Sequence, residues 1–146
     1  MIPIVYMCQN IYIAGNENTM SEKTKIHLEY IINCSPKVLY NRLSTAAGLA
    51  EWFAENVTVK GKKYTFTWEG VEQHAEKTLH KENQLVRFNW IDGDDDDSYF
   101  EFKITQDELT NDVSLMVIDF ADEDEIDETK NLWDTQIADL KHILGS

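Results

Sequence analysis

The sequence contains few cysteines, few prolines and no long apolar run, and each shortage excludes a class of protein. Only two of its 146 residues are cysteine and two are proline. Cys8 and Cys34 do not form a C-x-x-C pair, so we expect neither a disulfide framework nor a zinc centre. No apolar stretch reaches the roughly 20 residues that a transmembrane helix needs. The scarcity of cysteine indicates a reducing compartment, and we expect a cytoplasmic protein.

Basic residues are also scarce. Lysine and arginine number 13 against 27 acidic residues, which gives a formal net charge of −14. An acidic surface of this kind repels the phosphates of nucleic acids and anionic membranes. We therefore expect neither nucleic acid nor membrane as a partner.

Motifs for catalysis and metal binding are missing as well. There is no G-x-S-x-G element or cysteine–histidine signature that would indicate an activated nucleophile. The four histidines, His27, His74, His80 and His142, do not have the spacing of metal ligands. The acidic stretch "DGDDDDS" lacks the ligand order of an EF-hand, and its aspartates and glycine favour a solvated turn over a calcium site. We expect no catalytic residue, no metal and no cofactor.

Residues 1–19 differ in character from the rest of the chain. They are apolar but have no basic region, which makes them a poor secretory signal. Met20 begins "MSEKTKIHLEY", which reads like a natural start followed directly by a strand. We therefore expect an N-terminal extension over 1–19 and a single domain over 20–146. The alternative is an extra edge strand at residues 2–6 or 11–14.

Period-2 and period-3.6 patterns predict the elements of this domain. Alternating apolar residues predict a first strand (Ile26, Leu28, Tyr30 and Ile32). Ser35 and Pro36 then suit the start of a short helix, and a second one follows with Gly48 marking the bend. Four or five further strands joined by short turns predict an antiparallel meander. Phe100, Phe102 and Ile104 alternate there with charged residues.

A long amphipathic helix is predicted over residues 124–144. Acidic residues crowd its first turn, and Lys141 and His142 lie in its last turn, so both ends complement the helix dipole. Apolar residues recur on one face of it, namely Ile126, Trp133, Ile137, Leu140 and Leu144. The predicted fold class is α+β: a curved antiparallel sheet wrapped around a long C-terminal helix, with two short helices between the first and second strands. One helix cannot fill the hollow of a strongly curved sheet, so this arrangement tends to leave a cavity.

Three segments of the chain resemble a known family. They are "SPKVLYNRLSTAAGLAEWFAENV", "HKENQLVRFNW" and "LWDTQIADLKHIL". Together they resemble the START-like, helix-grip superfamily (SRPBCC), which has the fold of the birch-pollen allergen. The branch they resemble most is that of the heat-shock-protein ATPase activator. The resemblance covers residues 23–144 and implies a domain that holds a small hydrophobic or amphipathic ligand between the sheet and the terminal helix.

The adjacent aromatics of "LAEWFAENV" bear on where such a ligand would lie. Side chains at successive helical positions diverge by about 100°, so Trp52 and Phe53 cannot face the same way. We expect one to face the interior under the terminal helix and the other to seal the gap between the short helices and the sheet, with Trp52 toward the cavity mouth. The predicted ligand-binding residues are Tyr30, Trp52, Phe66, Trp68, Phe88, Trp90, Phe102, Trp133 and Ile137.

Two other functions stay open at this stage. Some relatives are cyclases or aromatases, and an enzyme of that kind would use polar groups in the same cavity, where Tyr30 is the fair candidate. A protein-interaction or co-chaperone-like module, including a homodimer, would instead have a filled core and an exposed apolar patch. The larger co-chaperones carry an additional client-binding domain that we do not find here, so we do not expect a chaperone-activating role. The family resemblance makes binding of a small ligand our first expectation.

Overall fold

The computed structural model describes residues 23–91 and 98–145. These residues form one seven-stranded antiparallel sheet in the order β1-β7-β6-β5-β4-β3-β2. The strands are β1 (Lys23–Ile32), β2 (Asn56–Lys60), β3 (Lys63–Trp68), β4 (Val71–Lys81), β5 (Leu85–Trp90), β6 (Tyr99–Gln106) and β7 (Val113–Asp122). The helices are α1 (Pro36–Ser44), α2 (Ala46–Trp52) and α3 (Ile126–Leu144). The predicted α+β helix-grip fold is confirmed.

Some of the sequence-based expectations concern residues outside the described ranges. The extension at 1–19, its alternative edge strand and Cys8 all precede residue 23. The acidic stretch weighed as a calcium loop lies almost entirely in residues 92–97. Within the described ranges, no helix combines the length and the apolarity that crossing a membrane requires.

One face of the sheet carries most of the core. In β6, the side chains of Phe100, Phe102 and Ile104 are buried, as the alternation predicts. Their partners across the ladder to β7 include Val117, which pairs with Phe102. Because residues directly opposite each other in an antiparallel pair share a face, these side chains lie on one surface of the sheet. Helix α3 packs on that surface.

Helices α1 and α2 connect the two edges of the sheet. Ser35 Oγ accepts a hydrogen bond from Val38 N–H at 3.2 Å, and Thr45 Oγ1 accepts one from Gly48 N–H at 2.9 Å. Each helix therefore begins with a side-chain cap that satisfies a free backbone donor. The bend between them is at Thr45, which has an extended backbone. The sequence-based assignment of the bend to Gly48 is wrong, because Gly48 lies inside α2.

Gly48 is instead a point of close approach between the two short helices. A Cβ atom at this position would lie 2.5 Å from Asn41 O and 2.7 Å from Arg42 Cα, both backbone atoms of α1. We expect Gly48→Ala to lower the free energy of unfolding by about 1–3 kcal/mol, because backbone atoms cannot yield cheaply. Helix propensity alone predicts a gain of about 1 kcal/mol, so the sign of the change in urea unfolding separates the two effects. A stabilised variant would contradict the close approach.

Helix α3 begins at Ile126, after a 3-10 turn at Glu123–Glu125, which is two residues later than the predicted start. It ends at Gly145, whose positive φ of 73° is the left-handed conformation that favours glycine. The N–H of Gly145 donates to His142 O, which helps to terminate the helix. Trp133, Ile137 and Leu140 of the predicted stripe are buried against the sheet.

Candidate ligand-binding site

Phe53 is the central side chain of the interior between the sheet and α3. It follows the last residue of α2, and its N–H donates to Leu49 O at 2.8 Å. Its ring stacks on Phe100 of β6 with centroids 5.2 Å apart and on Trp133 of α3 at 6.0 Å. The edges of Phe66 and Trp68 also meet it, at 5.2 and 5.4 Å. Phe53 is therefore the aromatic of the Trp-Phe pair that lies under the terminal helix.

Trp52 points in a different direction and holds the short helices together. Its indole Nε1 donates to Arg42 O of α1 at 2.8 Å. Its ring packs on Phe102 with centroids 5.7 Å apart, and the side chain is buried. Arg42 also forms an ion pair with Glu51 across the same helix pair. Trp52 thus closes the junction between α1, α2 and the sheet.

The structure brings most of the predicted ligand-binding residues into one cluster. The side chains of Phe66, Phe88, Phe102, Trp133 and Ile137 are fully buried. Phe102 meets Trp133 at 5.7 Å, and Phe66 meets Phe88 at 6.1 Å. Phe100, which the predicted site omits, joins them because it stacks on Phe88 at 5.0 Å. The alternation of β6 already placed Phe100 on the face of Phe102, so the signal was present in the sequence.

Tyr30 and Trp90 lie at the margins of this cluster. Tyr30 is half-buried on β1, and its hydroxyl donates to Asp134 Oδ1 of α3 at 2.7 Å. Burial, together with the hydrogen bond to Asp134 and the charge of that carboxylate, raises the pKa of Tyr30. Trp90 is half-buried on β5, and its ring lies 5.0 Å from Phe100 and 6.0 Å from Phe66. Trp90 is thus the predicted aromatic that connects the buried cluster to solvent.

The backbone carbonyl of Phe53 is the polar centre of the interior. It accepts a hydrogen bond from Trp68 Nε1 at 2.9 Å and another from Gln136 Nε2 at 3.1 Å. The Gln136 side chain is only 1% exposed, and its Oε1 atom has no hydrogen-bond partner in the described part of the chain. Sequence reasoning missed Gln136. Its position three residues after Trp133 on the inner stripe was the available signal.

A buried carboxylate lies at one end of the same interior. Asp119 is 4% exposed, and its Oδ2 accepts from Trp133 Nε1 at 2.9 Å while its Oδ1 accepts from Phe120 N–H at 2.7 Å. Burial raises the pKa of Asp119 to about 6, against the opposing effects of these hydrogen bonds and of Lys23. Period-2 extrapolation from Val117 places residue 119 on the core face, and sequence reasoning overlooked it.

Two titratable groups of the described interior, Asp119 and Tyr30, do not converge on one point. Asp119 lies opposite Ile26 on β1, whereas Tyr30 lies opposite Leu115, so the two titratable groups are about 13 Å apart along the strands. Burial also raises the pKa of the Cys34 thiol, which disfavours the thiolate that a nucleophile needs. Among the residues that the structure describes, no group of three or more His, Cys, Asp or Glu side chains is placed to hold a metal ion.

This combination of fold and interior defines a class of protein. The sequence matches the START-like superfamily domain over residues 20–146. The chain therefore belongs to the START-like superfamily, as the motifs of the two short helices and the terminal helix predict. Among curated proteins, none matches the sequence.

Several solved structures are similar to this chain. The protein BfR322 from Bacteroides fragilis is 36% identical, with a TM-score of 0.63, and the match covers 84% of this chain and 92% of that one. The Aha1 dimer from Colwellia psychrerythraea is 18% identical, with a TM-score of 0.70 and coverages of 81% and 93%. DynU16, from the dynemicin biosynthetic locus, is 12% identical, with a TM-score of 0.70 and coverages of 84% and 47%. At such low identities, the last two matches show the fold alone.

Proposed function

We propose that this domain binds a small hydrophobic or amphipathic ligand between the inner face of the sheet and helix α3. The observation that carries the proposal is the Oε1 atom of Gln136, which has no hydrogen-bond partner among the described residues although it lies in an interior lined mainly by aromatic and aliphatic side chains. Buried polar atoms in proteins nearly always have a partner, and an exception needs an explanation. A bound ligand with an apolar body and a hydrogen-bond donor would explain it, because the donor would satisfy Gln136 Oε1 and the apolar body would pack against the aromatic rings.

The composition of the interior supports the same proposal. Ligand sites are lined mainly by hydrophobic and aromatic side chains, with a few polar groups that fix the orientation of the ligand. Here the rings of Phe53, Phe66, Phe100 and Trp133 supply apolar walls, and the amide of Gln136 supplies a polar group. Membership of the START-like superfamily is in keeping with this use of the space between sheet and helix.

The rings also contact one another, so a ligand must displace at least one of them. Trp90 is the best candidate, because it is only partly buried and therefore loses less packing when its ring turns away. Its movement would uncover Phe66 and Phe100, which it contacts. The proposed ligand thus enters beside Trp90 and replaces the stacking of that ring on Phe100.

Binding is favoured over catalysis by the state of the titratable groups. Both carboxylate oxygens of Asp119 already accept hydrogen bonds from Trp133 and Phe120. The hydroxyl of Tyr30 is engaged by Asp134 at the outer side of α3. A cyclase-like reaction needs an acid or base directed at the substrate, and these groups are instead directed at the protein.

The proposal is tested by titration with N-phenyl-1-naphthylamine, a neutral dye whose fluorescence rises in apolar surroundings. We expect saturable binding to the native protein. Trp90→Gln should strengthen it about fivefold, because the dye no longer has to displace a ring whose contacts contribute about 1 kcal/mol beyond area burial. Trp90→Phe retains a ring and serves as the matched control. Mass spectrometry of molecules released when the native protein is denatured would identify a natural ligand.

Two outcomes would contradict the proposal. One is the absence of saturable dye binding together with the absence of any released molecule. The other is dye binding of equal strength in the native protein and in Trp90→Gln, because the dye would then occupy another surface. Either result would favour the alternative of a module with a filled core, whose aromatic rings serve stability alone.

We further propose that the domain acts in the cytoplasm as a homodimer. The low number of cysteines supports the compartment. The structural similarity to the Aha1 protein, which is described as a dimer, supports the assembly state. Sedimentation equilibrium tests the assembly state. A single chain has a mass of 17.0 kDa, and we expect twice that mass for the homodimer. A mass equal to that of one chain would contradict the homodimer.

A further inference from the structure

The side-chain amide of Gln136 has one satisfied end and one unsatisfied end. Nε2 donates to Phe53 O at 3.1 Å, and Oε1 has no donor in the described part of the chain. The orientation of this amide is fixed by its partner: a carbonyl oxygen accepts hydrogen bonds, so only the NH2 end can face Phe53 O. The unsatisfied atom is therefore an acceptor.

The neighbouring donors do not supply the missing hydrogen. The indole N–H of Trp68 is directed at Phe53 O, that of Trp133 at Asp119 Oδ2 and that of Trp52 at Arg42 O. An indole nitrogen carries a single hydrogen, so each of these donors is already used. Among the described residues, each of these indole donors serves another acceptor, and the Oε1 atom of Gln136 is left without a donor.

We propose that Gln136 selects ligands that have an apolar body and one neutral hydrogen-bond donor, a hydroxyl or N–H group, which donates to its Oε1 atom. This inference rests on the proposed function, since it names the class of ligand for the same site. A ligand without a donor would leave Oε1 unsatisfied within an apolar complex, which is the costly arrangement for a buried polar atom.

The donor is expected to be neutral for an electrostatic reason. An ammonium group buried beside Gln136 would meet an uncharged amide oxygen, and a desolvated charge needs an opposite charge. Asp119, the buried carboxylate beside Trp133, has both oxygens engaged by hydrogen bonds from Trp133 and Phe120. A phenol or alcohol group needs only the acceptor that Gln136 provides.

A pair of probes, in one of which a methyl group replaces the hydroxyl hydrogen of the other, tests this selection. We expect 2-naphthol to bind the native protein about tenfold more tightly than 2-methoxynaphthalene in isothermal titration calorimetry, which is the effect of one buried hydrogen bond. In Gln136→Met, which keeps the length of the side chain but has no amide oxygen, the ratio should fall to about one. Gln106→Met changes an exposed glutamine in the same way and should keep the ratio.

The outcomes separate the selection from the binding function. If the native protein binds neither probe, both the proposed function and the role of Gln136 are overturned. If it binds both probes equally, or if Gln136→Met keeps the tenfold ratio, the role of Gln136 is overturned and the binding function stands. Should the methionine variant fail to fold, the native ratio and the shift of the Gln136 side-chain amide signals in nitrogen-15 NMR with 2-naphthol decide the same point.

Discussion

Replacing Phe53 by alanine should lower the free energy of unfolding by about 3–5 kcal/mol, the range for loss of a fully packed aromatic ring. The ring lies between sheet and terminal helix, stacked on Phe100 at 5.2 Å and on Trp133 at 6.0 Å. The substitution leaves the backbone carbonyl in place, so the hydrogen bonds from Trp68 and Gln136 to Phe53 O can persist. The decrease in the free energy of unfolding, measured by urea unfolding, should therefore reflect the lost packing of the Phe53 ring.

Phe120→Ala provides a matched control for this prediction. Phe120 is half-buried on the outer side of β7, where its ring meets Tyr99 at 4.9 Å. Partial burial and fewer neighbours predict a loss of about 1–2 kcal/mol. Equal losses for Phe53→Ala and Phe120→Ala would contradict the central position of Phe53. Urea unfolding of both variants, followed by the same probe, allows direct comparison if the slopes agree.

Most of the fold could be predicted because its signals are local and repetitive. The alternation of Phe100, Phe102 and Ile104 defines a strand with one buried face, and β6 has that face. The stripe of Trp133, Ile137 and Leu140 defines the inner side of α3 in the same way. Such patterns can be read from the sequence because they depend on the spacing of apolar residues within one element, and no knowledge of distant contacts is needed.

The positions of Trp52 and Phe53 could not be assigned from the sequence. Both are large, both are apolar and both prove to be buried. What distinguishes them is the partner of each side chain: Arg42 O of α1 for the indole of Trp52, and Trp133 of α3 for the ring of Phe53. Those partners lie in different elements, so the choice depends on tertiary packing, which period and propensity do not encode.

The buried polar residues were missed for a related reason. Asp119 and Gln136 occupy core positions in their patterns, yet a polar residue at such a position is ordinarily read as a break in the pattern. Each of them is retained by one hydrogen bond between elements, to Trp133 for Asp119 and to Phe53 O for Gln136. Both exceptions to the apolar pattern thus form a side-chain hydrogen bond between α3 and another part of the domain.

These two hydrogen bonds differ in how they respond to pH. The bond between Gln136 and Phe53 O joins two neutral groups, whereas the bond between Trp133 and Asp119 involves a buried carboxylate. Burial raises the pKa of Asp119 to about 6, from an ordinary value of 3.8 for an aspartate side chain. The hydrogen bond that joins β7 to α3 therefore involves a carboxyl group that titrates just below neutral pH. We expect the free energy of unfolding of the domain to change with pH in that range.

Asp119→Asn should isolate this effect. A folded pKa above the unfolded one means that the contribution of Asp119 to stability is fully present below pH 3.8 and is lost as pH rises through about 6. The full loss is about 3 kcal/mol, at 1.36 kcal/mol per pKa unit. Because the asparagine does not titrate, its stability relative to the native protein should rise by about 2 kcal/mol between pH 4.5 and pH 8.

The measurement is urea unfolding of both proteins at several pH values, compared as a difference so that the many surface acids cancel. Asp139→Asn removes one negative charge from the exposed side of α3 and corrects for the change in net charge. A difference that stays constant across this range would show that Asp119 holds the same charge in the folded and unfolded chains. The hydrogen bond from Trp133 Nε1 would then compensate fully for burial, and the junction of β7 with α3 would be insensitive to pH.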